Sequence, residues 1–199
     1  MTKEFWNNRY TEHDTVYGDQ PSQFFKGRIQ QLTPGRLLLP AEGEGRNAIF
    51  AAQAGWQVDA FDYSSVAALR ALERASKNGV AINYTVQEIE FCSLPKNTYD
   101  VIGLIYVHLM PGIRAAFHAQ CVSALKQGGT LILEGFSKEQ LHFSSGGPKN
   151  EAMLYSNELL VDDFQGLQVT KNTLEMRVLN DGPFHQGKAA IIYFAGVKV

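Results

Sequence analysis

Basic charge, long apolar runs and cysteine are all scarce in this sequence. Its 199 residues carry 18 Lys and Arg against 20 Asp and Glu, a formal net charge of −2, so there is no basic surface of the kind that nucleic-acid binding needs. No run of about 18 uninterrupted apolar residues occurs, and residues 1–30 hold no apolar run of signal-peptide length; the expectation is a cytoplasmic protein without membrane contact. Only Cys92 and Cys121 are present, in segments read as a loop and a helix. With neither metal-ligand spacing nor a disulfide framework, they are expected to be buried or idle thiols, and no metal site is expected. Repeats, low-complexity tracts and linkers are missing too. With 45% hydrophobic residues the chain can close one sizeable core but is short for two, so one domain over 1–199 is expected.

What is present is a strand, a glycine loop and a helix between residues 36 and 54. Leu37, Leu38 and Leu39 form the short apolar run of a strand buried on both faces. Gly43 and Gly45, lacking a Cβ, let the backbone turn tightly and approach a ligand. Residues 46–54 are good helix formers, and Gly55 stands where a C-terminal cap belongs. Gly43-x-Gly45-x-x-Ala48 also fits a dinucleotide fingerprint, and the next strand, 56–61, delivers Asp62, a carboxylate that can bridge ribose hydroxyls under either reading. Glu42 separates the two. An acid before the first glycine repels a pyrophosphate but suits a cationic amino acid headgroup, which favours S-adenosylmethionine over a nicotinamide dinucleotide.

Further along, strands and helices alternate. Ser64 caps a helix with Val66, Leu69 and Leu72 at helical spacing. A third strand over 80–86 leads to Glu88 and Ile89, placed to meet an adenine amino group and ring face, although Glu88 also fits a solvated loop. A fourth strand over 99–106 ends at Ile105 and Tyr106, followed by His108. A helix over 112–126 and a fifth strand over 130–133 come next, and this order predicts a parallel sheet with helices on both faces. Residues 136–155 lack periodicity and read as a substrate-side loop. Ser156 caps a short helix to Phe164. Segments 170–179 and 188–197 flank the turn at 180–183 and predict an antiparallel hairpin. Residues 1–30, with Trp6, Tyr10, Tyr17, Phe24 and Phe25 spread among polar residues, read as an N-terminal cap.

The chain resembles the class I S-adenosylmethionine-dependent methyltransferases over nearly its whole length. The carriers are the loop Glu42, Gly43, Glu44, Gly45, Arg46 and Asn47, then Asp62, Glu88, and Gly128-Gly129 before the fifth strand. Trp6 to Tyr10, Tyr17-Gly18, the loop itself, Leu133-Glu134-Gly135-Phe136, Gly146-Gly147-Pro148-Lys149 and His185-Gln186-Gly187-Lys188 are similar, more narrowly, to a bacterial tellurite-resistance (TehB-like) subgroup. The chain departs from the common pattern at Asn47, where many members have a third glycine, at Glu88, often aspartate, and at Gln127, often proline. The resemblance implies an α/β fold with one doubly wound, mostly parallel seven-stranded Rossmann-like sheet and an antiparallel C-terminal strand. It implies S-adenosylmethionine as cofactor, held by the loop residues, Asp62, Tyr63, Ser64, Glu88, Ile89, Ile105 and Tyr106.

Methyl transfer from a sulfonium needs positioning more than acid or base. An oxygen or nitrogen acceptor benefits from a base, whereas a thiolate or a selenium or tellurium oxyanion arrives ionised. His108 and Tyr17 are the catalytic candidates. His108 takes a proton, steers an anion or simply caps its loop, while Tyr10 and Tyr17 offer ring faces to the sulfonium. His185 and Lys149 are expected over the same mouth. The expected partner is a small-molecule acceptor, with the chain a monomer or homodimer. The alternatives are an NAD(P)-dependent oxidoreductase and a non-catalytic S-adenosylmethionine-binding sensor.

Overall fold

The apolar run at 37–39 has no polar face because both its faces are covered. In the computed structural model, which describes residues 2–199, Leu37 and Leu39 enter one hydrophobic layer and Leu38 the other. In chain order the elements are α1 (Lys3–Glu12), α2 (Gln23–Ile29), β1 (Arg36–Pro40), α3 (Arg46–Gln53), β2 (Gln57–Asp62), α4 (Ser65–Lys77), β3 (Asn83–Val86) and β4 (Tyr99–Ile105). They continue with α5 (Pro111–Ala124), β5 (Leu125–Phe136), α6 (Asn157–Asp163), β6 (Leu167–Asn180) and β7 (Gln186–Lys198). The seven strands form one sheet in the order β3-β2-β1-β4-β5-β7-β6. Pairing is parallel from β3 to β5, and β7 runs antiparallel to both β5 and β6.

Each buried strand splits its side chains between the two layers, as the pleat requires. From β4, Val101 and Ile105 join α2, α3 and α4 through Phe25, Ala48 and Ala71, while Ile102 and Leu104 join α5 and α6 through Phe117 and Leu160. The seven-stranded α/β sheet expected from the sequence is the observed one, including its antiparallel C-terminal hairpin.

Local expectations needed correction in four places. On α4 the buried positions are Ala67, Ala68, Ala71 and Ala75, and Leu69 and Leu72 face solvent. Small side chains let this helix lie close on the sheet, and that geometry outweighs the hydrophobicity of the leucines. The third strand begins only at Asn83. The fifth is longer than its apolar run, because Leu125 already pairs with Tyr99 before an irregularity restores register at Thr130. The segment 136–155 is only partly a loop. Phe136 ends β5, 3₁₀ turns occupy Lys138–His142 and Glu151–Met153, and Ser137 bridges Tyr155 in parallel.

Candidate active site

A cavity of about 700 Å³ opens where the parallel strands end, the position at which open α/β sheets bind ligands. Its floor comes from Ala41, Glu42, Gly43, Asp62, Ile105 and Tyr106, one wall from Tyr63, Glu88 and Ile89, and its roof from α1, Tyr17 and the β6–β7 turn. Glu44, Arg46, Asn47 and His108 also reach it. Gly45 and Ser64, nominated from the sequence, do not. Gly45 stands at the N-cap of α3, and the fully buried Ser64 hydroxyl accepts from Ala67 N–H at 3.1 Å and donates to Asn7 Oδ1 at 2.6 Å. Two non-glycine residues at the strand ends have left-handed backbones, Ala41 (φ 49°) and Tyr106 (φ 57°). Such conformations cost about 1–3 kcal/mol each and concentrate at functional sites.

Glu42 does not face the cavity as a free carboxylate. Its Oε1 accepts from Asn47 N–H (2.7 Å) and Ala48 N–H (2.9 Å), and Oε2 accepts from the Asn47 side-chain amide (3.1 Å). It therefore caps the first turn of α3 while still lining the cavity. Burial pushes its pKa up to about 7 despite these donors. Asp62 accepts from Gly43 N–H through Oδ2 (3.1 Å) and from Ser64 N–H through Oδ1 (2.8 Å), with the Tyr63 N–H also favouring its ionised form, and its two carboxylate oxygens retain acceptor capacity for a ligand hydroxyl. Burial raises its pKa to about 6 against the pull of those N–H groups. Gly43 (φ 62°) leaves no room for a Cβ, which would lie 2.6 Å from the Tyr10 hydroxyl.

The remaining polar residues of the loop hold the roof rather than the floor. Glu44 accepts from Val16 N–H (2.8 Å) and pairs with Arg70 (3.2 Å). Arg46 donates to the carbonyls of Tyr17 (2.8 Å) and Gln20 (3.3 Å), and Asn47 accepts from Ser22 N–H (2.9 Å). The Ser22 hydroxyl donates to Glu134, whose other oxygen accepts from the Tyr106 hydroxyl at 2.8 Å. The roof also rests on the β6–β7 turn, where a Cβ on Gly182 would meet Val16 O at 2.6 Å. This tethering was not evident in the sequence, since each bond joins residues more than twenty positions apart.

His108, expected as a base, has both ring nitrogens engaged. Nδ1 lies 2.8 Å from Met153 O and must donate to it, and Nε2 accepts from Phe136 N–H at 3.1 Å. Burial lowers its pKa to about 4. The ring clamps the end of β5 to the Glu151–Met153 turn and has no lone pair left for a substrate proton. Tyr17 is also a weak base candidate, because burial raises its pKa and its hydroxyl accepts from Arg9 at 3.4 Å. Lys149 donates to Phe143 O on the outside and does not line the cavity. His185 does, packed against Tyr17 (4.5 Å), Tyr106 (4.6 Å) and Phe136 (5.2 Å). Its Nδ1 is buried without a partner among the described residues, and burial lowers its pKa to about 3. Arg9 completes the wall, its guanidinium 4.2 Å from the Phe184 ring centroid. The sequence marked the segment of His185 but gave no sign of Arg9 or Phe184, since α1 has no apolar stripe to fix its orientation.

Residues 40–129, a little under half of the chain, match the family described as a methyltransferase domain. No curated protein matches the chain by sequence. Among solved structures, TehB from Haemophilus influenzae is similar over 90% of this chain and 63% of its own, with 15% identity and a TM-score of 0.76. A structure concerned with the conversion of a disulfide bond into a thioacetal group during echinomycin biosynthesis is similar over 98% of this chain and 92% of its own, with 16% identity and a TM-score of 0.74. A SAM-dependent methyltransferase from Methanosarcina mazei is similar over 90% of this chain and 99% of its own, with 16% identity and a TM-score of 0.71. At these identities the likeness is one of fold.

Proposed function

We propose that this enzyme transfers a methyl group from S-adenosylmethionine to a small soft nucleophile that arrives already ionised, a thiolate or a selenium or tellurium oxyanion. The observation that carries the cofactor reading is the Glu42 carboxylate on the first turn of α3. In a dinucleotide-binding fold those helix N-terminal amides hold the pyrophosphate. Here an acid already occupies them, which disfavours the NAD(P)-dependent alternative. The donor set fits S-adenosylmethionine: Asp62 keeps acceptor capacity for ribose hydroxyls, Glu88 and Ile89 border the adenine side, and Gly43 leaves the close approach open. When bound, the cofactor supplies an electrophilic methyl on a sulfonium.

The chain's own part is to position and to exclude water, which can lower such a barrier by roughly 7–11 kcal/mol. Neither histidine is a proton sink near neutral pH, with pKa values of about 4 and 3. His185 offers one hydrogen bond through Nδ1, the aromatic wall gives a polarisable surface, and the Arg9 guanidinium in it favours an anionic acceptor over a cationic one. The echinomycin-pathway structure of similar fold concerns chemistry at sulfur, which supports the same class.

Three measurements test this. Calorimetry should show S-adenosylmethionine binding and no NAD binding; the reverse overturns the cofactor reading. With thiols, selenite and tellurite as acceptors, S-adenosylhomocysteine should be released, and the pH midpoint of the rate should follow each thiol's own pKa. A midpoint fixed across acceptors would mean that the enzyme supplies the base. His185→Phe should keep cofactor affinity within tenfold, about 1.4 kcal/mol, and lower turnover by at least tenfold through loss of the orienting hydrogen bond; unchanged turnover removes His185 from the acceptor site.

A further inference from the structure

We propose that two copies of this chain pair edge to edge along β6, antiparallel about a two-fold axis at Met176, to make one continuous sheet. β6 is the last strand of the sheet, and among the described residues its one ladder partner is β7. It is 14 residues long, and an edge of that length bearing apolar side chains is a template for association unless it is guarded. Its first part is guarded by a register irregularity between Val169 and Lys171; from Lys171 to Asn180 the ladder to β7 is regular. On that regular stretch Leu174, Met176 and Val178 lie on one face by strand alternation and are 37%, 57% and 74% exposed.

Side-chain identity selects the occupant and the register. A two-fold axis perpendicular to the sheet keeps each face on its own side, so the pleat permits only registers centred on a residue. Centring on Leu174 sets Arg177 opposite Lys171 of the second copy. Glu175 or Arg177 at the centre opposes like charges, and Val178 sets Glu175 opposite Asp181. Centring on Thr173 pairs Lys171 with Glu175 but leaves Met176 opposite Thr170, inside the irregular segment.

Only the Met176 register pairs Glu175 with Arg177 twice, sets Leu174 against Val178 twice, and matches Asn172 with Asn180 at the two ends of the regular stretch. Glu175 now pairs with Lys171 at 3.2 Å in a half-exposed contact, an arrangement worth little in water, and Arg177, which donates through Nη1 to the Tyr193 hydroxyl at 3.1 Å, has four further N–H donors for Glu175 of the second copy. Self-complementarity of this kind fits a second copy of the chain rather than an unrelated partner.

Light scattering across a wide concentration range tests the proposal on the full chain. The wild type should reach dimer mass. Glu175→Arg and Arg177→Glu should each give monomers, because each sets like charges opposite one another, and the double exchange should restore the dimer. Met176→Cys should cross-link to a covalent dimer under mild oxidation, the native Cys92 and Cys121 being buried. A monomeric wild type overturns the proposal. So do dimeric single variants, a double exchange that fails to restore dimers while binding S-adenosylmethionine normally, or the absence of cross-linking at position 176.

Discussion

Replacing Glu42 by Gln keeps the side chain's shape but turns one of its oxygens into a donor facing an N–H group. The first turn of α3 loses at least one charge-assisted bond, and stability should fall by about 1–3 kcal/mol, read from urea unfolding. Asp62, like Glu42, has its pKa raised by burial. Its pKa in the folded protein is about 6, above the ordinary carboxylate value, so folding favours its protonated form, and stability from this group is lost as pH rises from about 4 through 6. A cationic cofactor favours the ionised form. Affinity for S-adenosylmethionine should therefore rise from pH 5 to 7 with release of a proton, and Asp62→Asn should flatten that rise; calorimetry in buffers of different ionisation enthalpy measures both. For His108 the folded pKa of about 4 lies below the free value of about 6.5. Its contribution to stability is complete above pH 6.5 and is lost as pH falls toward 4, on the order of 3 kcal/mol. His108→Gln should reduce that slope and leave the pH profile of turnover unchanged.

At the scale of elements, the legible parts are those whose reasons are local. The glycine loop announced a turn, Ser64 and Ser156 announced helix starts that their hydroxyls do cap, and Gly182-Pro183 announced the hairpin. What stayed hidden depends on partners distant in the chain. Glu44, Arg46 and Asn47 read as cofactor ligands because they lie in the loop, yet their polar atoms hold Val16, Tyr17, Gln20 and Ser22. His108 read as a base because of its place after β4, and only the folded turn at Glu151–Met153 shows that its nitrogens are occupied. Ser22 is the knot of this arrangement, since it caps α2, meets Asn47 and donates to Glu134. Ser22→Ala should cost about 1–3 kcal/mol of stability by losing the cap and leaving Glu134 short of a buried partner, and thermal unfolding measures it.

For the whole molecule, alternation of apolar strands with helices was enough to give the layers, because a strand without a polar face must be covered on both sides. The position of the cavity followed from the sheet, while its roof did not, since α1 and residues 13–22 are placed by tethers between distant residues and by the small cluster of Tyr10, Val16 and Ala67 rather than by a periodic apolar stripe. Those tethers carry a kinetic consequence. They are made by the chain's own residues and hold the roof over part of the cavity, so the arrival and departure of a ligand are both expected to depend on how tightly they hold. Loosening it should then speed traffic in both directions and leave the equilibrium nearly where it was. Arg46→Ala, which frees the carbonyls of Tyr17 and Gln20, should raise the association and dissociation rates of S-adenosylmethionine together, by about tenfold for each 1.4 kcal/mol of tether lost. Stopped-flow traces in which only one of the two rates changed would show that the roof grips the ligand rather than delaying it.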